Sequence, residues 1–413
     1  MTEPHHHRSG PARRELLRLG MGSLGLGLIG AAGAPALYSP PAEAAAPKTS
    51  DRILVVVELS GANDGLNTVV PYGDDAYYRA RPKLGLRPER LIRLNDHVGL
   101  HPSMAGFGKL YKDGELAIVQ GVGYDQPSFS HFTSMAYWHT AAPNHGEPYG
   151  WLGRLADALD PEASPYYLVN LQDGQSLAVR SRNHVPLVFD DPQKFDRTGS
   201  FEELDALRGL VSNTPNNSAQ KFMADVARTA QIAEKRVREA CANYRTPVEY
   251  GLYRFGLERV AALIAGGFST RIYYVTFPHN AFDTHVYQAD THARLLNYTS
   301  DHISGFLADM KRIGRGNDVA MMVFSEFGRR VGENANGGTD HGTAGPVFVA
   351  GAGVKGGLYG QQPDLLALDD GNLRQTMDFR RVYASMVREW MGLDDVRPVL
   401  TDAFTGLGLY NTA

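Results

Sequence analysis

"RILVVVELSGANDGLNT", residues 52–68, joins a short β-branched run to a turn built of glycine, asparagine and aspartate. The run is apolar at nearly every position instead of at alternate ones. That pattern suits a strand covered on both faces, as in a parallel sheet. The glycines of "GANDG" then mark a turn at the strand's carboxyl end. Four more runs share this character: "LAIVQGVG" (116–123), "TRIYYVTF" (270–277), "DVAMMVFS" (318–325) and "PVFVAG" (346–351). Helical periodicity lies between them, most plainly over 218–245, 256–267 and 296–314. Strands alternating with helices predict a doubly wound α/β domain with a mainly parallel sheet. Strand signal fades between about 150 and 250, which reads as a partly helical insertion covering one side of the sheet within a single domain, 51–413.

Composition narrows the function. The 413 residues are 43% hydrophobic and 21% charged, ordinary globular values. A net charge of −4, without a basic stripe interleaved with aromatics, speaks against a nucleic-acid partner. The lone cysteine, Cys241, excludes a disulfide framework or a cysteine-based zinc site within one chain.

The first 46 residues read as a removable export signal. Arg13 and Arg14 precede an apolar run, Leu19 to Leu37, and Ala42-Glu43-Ala44 fits an A-x-A cleavage site. The paired arginines mark it as twin-arginine type, which names the Tat export machinery as a partner and a periplasmic, cell-surface or extracellular destination. "GMGSLG" (20–25) and "GLGLIG" (25–30) match a dinucleotide fingerprint, but no strand precedes them and no βαβ unit follows. No later stretch reaches membrane-spanning length, so the mature chain is expected to lack a stable span.

In open α/β sheets ligands bind beyond the carboxyl ends of the strands. Acid, hydroxyl and imidazole side chains recur there. Asn63 and Asp64 follow the first run, and Ser128, Ser130 and His131 follow the second. His279, Asp283 and His285 follow the third, Glu326 follows the fourth, and Asp340 and His341 precede the fifth. Alone, each has a plainer explanation: Asp64 as a turn former, Ser130 as a helix cap, Asp283/His285 and Asp340/His341 as surface pairs. Glu326, just past a buried strand, needs partners. Together they suggest one or two divalent cations. Cations so placed stabilise the attacking and leaving oxygens of a displacement at phosphorus or sulfur. Arg329 and Arg330 offer a fork for phosphate or sulfate oxygens, or are solvated loop charges.

The motifs "LSGANDGLNTVVPYGDDAYYRARP", "SHFTSMAYWHTA", "FDTH", "FSEFGRR" and "GGTDHGTAGPVFVAGAGVKGGLYG" resemble the DUF1501 family of exported bacterial proteins. The resemblance covers nearly all of the mature chain, and it implies an alkaline phosphatase-like fold related to the phosphatase and sulfatase superfamily. It implies Ser130, or else Ser128, as nucleophile, with His131 and Arg329 in the catalytic set. It implies metal ligands among Asp64, Asp283, His285, Glu326, Asp340 and His341. "FDTH" is tighter than the superfamily's Asp-to-His interval, and "SEFG" stands where Asp-His is expected, leaving one ligand to come from Asp340 or His131. A "C-x-P-S-R" motif is absent, which excludes a formylglycine sulfatase. The expectation is an exported metal-dependent hydrolase of small anionic phosphate or sulfate esters, with zinc first among the metals and manganese, calcium or magnesium after it. The alternative is a secreted binding protein that keeps the fold without catalysis.

Overall fold

A computed structural model describes residues 52–193, 209, 218–351 and 353–410. Residues 1–46, read as an export signal, lie outside the described residues. All five apolar runs form strands: β1 (Ile53–Leu59), β2 (Leu116–Gly123), β5 (Ile272–Phe277), β6 (Val319–Phe324) and β7 (Gly345–Gly351). Shorter strands complete a nine-stranded sheet: β3 (Leu168–Leu171), β4 (Leu187–Val188), β8 (Gly357–Tyr359) and β9 (Met377–Asp378). Their order is β8-β2-β7-β6-β1-β5-β3-β4, with β9 also paired to β2.

Every pairing is parallel except those of β7, which runs antiparallel to both β2 and β6. The reversal is functional in consequence. Because β7 runs backwards, its first residue lies at the edge where the other strands end, and His341 just before it joins their carboxyl-end loops.

Alternation along β1 explains the layers. Ile53, Val55, Val57 and Leu59 pack into one core, while Leu54 and Val56 pack into another across the sheet. The first core is closed by α1 (Ala105–Lys112), α4 (Ser218–Asn243), α5 (Leu257–Ala265) and α6 (Gln288–Arg312). The second is closed by α2 (His131–Thr140), α3 (Trp151–Leu159) and α7 (Phe379–Ala384), with Trp138 stacked on Phe324 and Phe379. The domain is therefore doubly wound.

Two features depart from the sequence reading. Residues 150–250, expected as an insertion with little strand, supply β3 and β4 to the main sheet. These strands of four and two residues are too short to show a period. Helix α6 begins at Gln288, eight residues before the periodic segment starts, and Gln288 and His292 in its first turns bond Asp64 and Asn63.

Candidate metal centre

Helix α2 starts at the site. Ser130 is its N-cap residue, and the first turn is tied down by Ser134 Oγ, which donates to the Glu326 carbonyl at 2.7 Å. This fixes His131, whose Nδ1 lies 2.6 Å from Glu326 Oε1. Glu326 is completely buried. Its carboxylate also accepts from the Gly61 N–H at 3.0 Å and from Ser325 Oγ at 2.9 Å. Gly61 must be glycine: its φ is +111°, and a Cβ there would lie 2.6 Å from Asn280 O and from Asp283 N. That close approach brings the turn after β1 against the loop carrying Asp283.

The loop from β6 to β7 is a narrow ribbon. Gly328 N donates to Thr343 O, Gly342 N to Gly328 O and Arg330 N to Asp340 O, all at 2.8–2.9 Å. The ribbon pairs Arg329 with His341. Its glycines permit the pairing, since a Cβ on Gly328 would meet Ala344 O at 2.2 Å.

At the centre three donor atoms form a near-equilateral triangle. His285 Nε2 is 3.0 Å from His341 Nε2 and 3.0 Å from Asp283 Oδ1, and His341 Nε2 is 3.1 Å from the same oxygen. His131 Nε2 faces Asp283 Oδ2 at 3.4 Å and, though buried, has no hydrogen-bond partner. One ligating atom each from His131, Asp283 and His341 falls within 4.8 Å of the others.

The tautomers follow from the other ring nitrogens. His131 Nδ1 faces the Glu326 carboxylate, His341 Nδ1 faces the Phe129 carbonyl at 2.9 Å, and His285 Nδ1 faces Asp340 Oδ1 at 3.3 Å. Each partner can only accept, so each Nδ1 carries the proton and each Nε2 presents a lone pair. Three lone pairs then face the Asp283 carboxylate, whose Oδ1 accepts from Arg329 Nη2 at 2.7 Å. This is the arrangement in which outer carboxylates or carbonyls orient metal-binding imidazoles. A triangle with those edges has a circumradius of about 1.8 Å, so a zinc ion about 2.0–2.2 Å from each atom fits just outside its plane. The donor set of imidazole nitrogen and carboxylate oxygen fits zinc.

Asp283 supplies the negative charge. Burial works to raise its carboxyl, but the Arg329 guanidinium, bonded to Oδ1 at 2.7 Å, opposes it and the net shift is downward. His131 is shifted the other way, its hydrogen bond to Glu326 raising it above the ordinary value.

Several expected ligands take other roles. Asp64, read as a ligand, is fully buried and forms a 2.6 Å ion pair with Arg81. It also accepts from Gln288 Nε2 and caps a one-turn helix through Asn67 N. Burial raises its carboxyl, yet Arg81 prevails and the net shift is downward. Glu326 stands one layer behind His131 instead of in the donor triangle, and Asp340 stands behind His285. Arg329, expected to grip substrate, is 1% exposed. Its N–H groups go to the carbonyls of Gly61, Ala62, Phe282 and Thr339 and to Asp283 Oδ1 at 2.7 Å. It is a scaffold for the site's loops. His131, expected in the catalytic set or as a replacement ligand, places Nε2 in the same cluster as Asp283 and His341.

Ser130 is exposed at the rim, its hydroxyl making no capping bond, next to the Phe129 carbonyl that holds His341. Ser128 Oγ, by contrast, accepts from Ser130 N at 3.2 Å. Sequence reasoning missed Arg81 and set aside His292, which is buried and bonded to Asn63 Oδ1 at 2.8 Å. Nothing local to "YYRARP" aims an arginine at Asp64, so no signal could have found that pair.

A family model described as "Protein of unknown function (DUF1501)" matches residues 51–400. No curated protein matches the chain. Among solved structures the chain is similar to the zinc complex of the C-terminal periplasmic domain of EcEptC from Escherichia coli, at 11% identity, covering 74% of each chain with a TM-score of 0.37. It is similar to an alkaline phosphatase superfamily protein from Vibrio parahaemolyticus, at 10% identity, covering 87% of this chain and 72% of that one, TM-score 0.36. It is also similar to alkaline phosphatase from the Antarctic bacterium TAB5, at 11% identity, covering 76% and 95%, TM-score 0.37.

Proposed function

The chain belongs to the DUF1501 family, and from that premise we propose that it is an exported, metal-dependent hydrolase of phosphate or sulfate esters. The single observation carrying this reading is the convergence of His285 Nε2, His341 Nε2 and Asp283 Oδ1 at 3.0–3.1 Å, every imidazole fixed from behind by an acceptor. His285, His341, Asp283 and His131 would hold the ion, zinc first. The ion supplies positive charge that stabilises the anionic transition state and polarises the ester.

The chain's own residues do the rest. Glu326, Asp340 and the Phe129 carbonyl keep the imidazoles in the required tautomer. Arg329 ties the turn after β1 to the two loops that carry Asp283, His285 and His341. Ser130 Oγ attacks phosphorus or sulfur, its proton passes to solvent, and the bridging oxygen departs as the alcohol. Water then releases the inorganic anion and restores the hydroxyl.

Purified mature protein supplied with zinc should turn over at least one of aryl phosphates, phosphodiesters and aryl sulfates. Chelation should abolish the activity, and Ser130→Ala should lower it at unchanged metal content. Metal bound without turnover of any of the three would refute catalysis. It would leave the second reading, a binding protein that retains the fold, favoured by the commitment of all three Arg329 guanidinium nitrogens to the scaffold.

A further inference from the structure

Of the eight large apolar side chains that face solvent among the described residues, four flank the donor cluster. Phe129 is 44% and Phe132 88% exposed, and they bracket Ser130 and His131. Val286 is 53% and Tyr287 86% exposed, directly after His285. The two segments meet at His341, which donates to the Phe129 carbonyl on one side and faces His285 Nε2 on the other.

Tyr287 is held outward. Its φ is +46°, a conformation disfavoured for a bulky residue, and its N–H is tied to Asn336 O at 3.1 Å. Lysine and arginine are scarce around it. Residues 124–132 and 278–288 contain no lysine or arginine. Of the cations on the β6–β7 ribbon, Arg329 is buried and Arg330 pairs with Asp370 at 3.1 Å. Contiguous exposed apolar surface marks interaction sites, and aromatic rings contribute most area for least entropy.

We infer that the ester accepted at this site carries an apolar group, an aryl ring or alkyl chain, on its bridging oxygen, seated on Phe129, Phe132, Val286 and Tyr287. This rests on the proposed hydrolase reading. A nucleotide or other polyanionic leaving group would find no lysine or arginine on these two segments, whereas an apolar group removes the four side chains from water. Each methylene so buried is worth about fourfold in affinity, so three give tens-fold.

Four probes separate the rim from the metal and aryl from alkyl: methylphosphonate, n-octylphosphonate, phenylphosphonate and n-octanol. Calorimetry and ligand-detected NMR on the mature protein, with and without zinc, supply readouts besides turnover. Octyl- or phenylphosphonate should bind at least tenfold more tightly than methylphosphonate. The Phe132→Ala/Tyr287→Asn variant should lose that margin, and both side chains are exposed enough that folding should survive. Asparagine tolerates the left-handed backbone at 287. If no phosphonate binds but octanol binds in a Phe132- and Tyr287-dependent way, the apolar rim stands and the metal reading falls. Equal affinity for methyl- and octylphosphonate, or concentration-dependent self-association that the double variant abolishes, overturns the inference.

Discussion

Asp64 and Arg81 lie 2.6 Å apart with neither side chain exposed, and Arg81 also donates to the carbonyls of Arg330 and Val331. One buried guanidinium thus ties the turn after β1 to the β6–β7 ribbon. Removing one partner of such a pair leaves a buried charge uncompensated, at a cost of about 3–5 kcal/mol. Arg81→Met should therefore lower denaturant-measured stability by that order, and adding Asp64→Asn should recover part of it. Additive losses would contradict the pairing. The same residues show what a sequence can disclose. Asp64, Asp283 and Glu326 all follow apolar runs and look equivalent in the sequence. Only Asp283 faces the imidazole Nε2 atoms. The others are claimed by a guanidinium from "YYRARP" and by the Gly61 N–H, contacts fixed by long-range packing.

At the scale of elements, α3 is secured by a histidine clasp. His184 Nδ1 and Nε2 lie 3.1 Å from Asp157 and Asp160 respectively, with the ring tilted against Tyr167. Burial lowers the pKa of His184, but its two carboxylate partners overcome this and raise it. A raised folded-state value means that the clasp stabilises fully below the unfolded pKa near 6.5, and that the contribution fades as pH rises through the folded value. The melting-temperature deficit of His184→Gln should accordingly be larger at pH 6 than at pH 9. An equal deficit at both would sink the clasp. The long strands and helices were legible because each carries several periods of pattern. β3, at four residues, and β4, at two, carry less than the pattern needs, and their place in the sheet comes from pairing with β5 and with each other.

For the whole molecule, the donors come from loops after β2, β5 and β6 and before β7, far apart in the chain. An ion binding them binds the folded state alone. Ligand at about one hundred times its dissociation constant adds about 2.7 kcal/mol to stability. Zinc should thus raise the melting temperature of the mature protein by several degrees, and His285→Ala with His341→Ala should remove the effect. Unchanged melting with zinc would place the metal elsewhere or nowhere. None of the described helices is long and apolar enough to cross a membrane.

The central claim is positional, and anomalous diffraction at the zinc absorption edge tests it most directly. Crystals of the mature protein grown with zinc should show one strong peak about 2.0–2.2 Å from His285 Nε2, His341 Nε2 and Asp283 Oδ1. A peak held by other side chains, or none beside these three, would contradict the account.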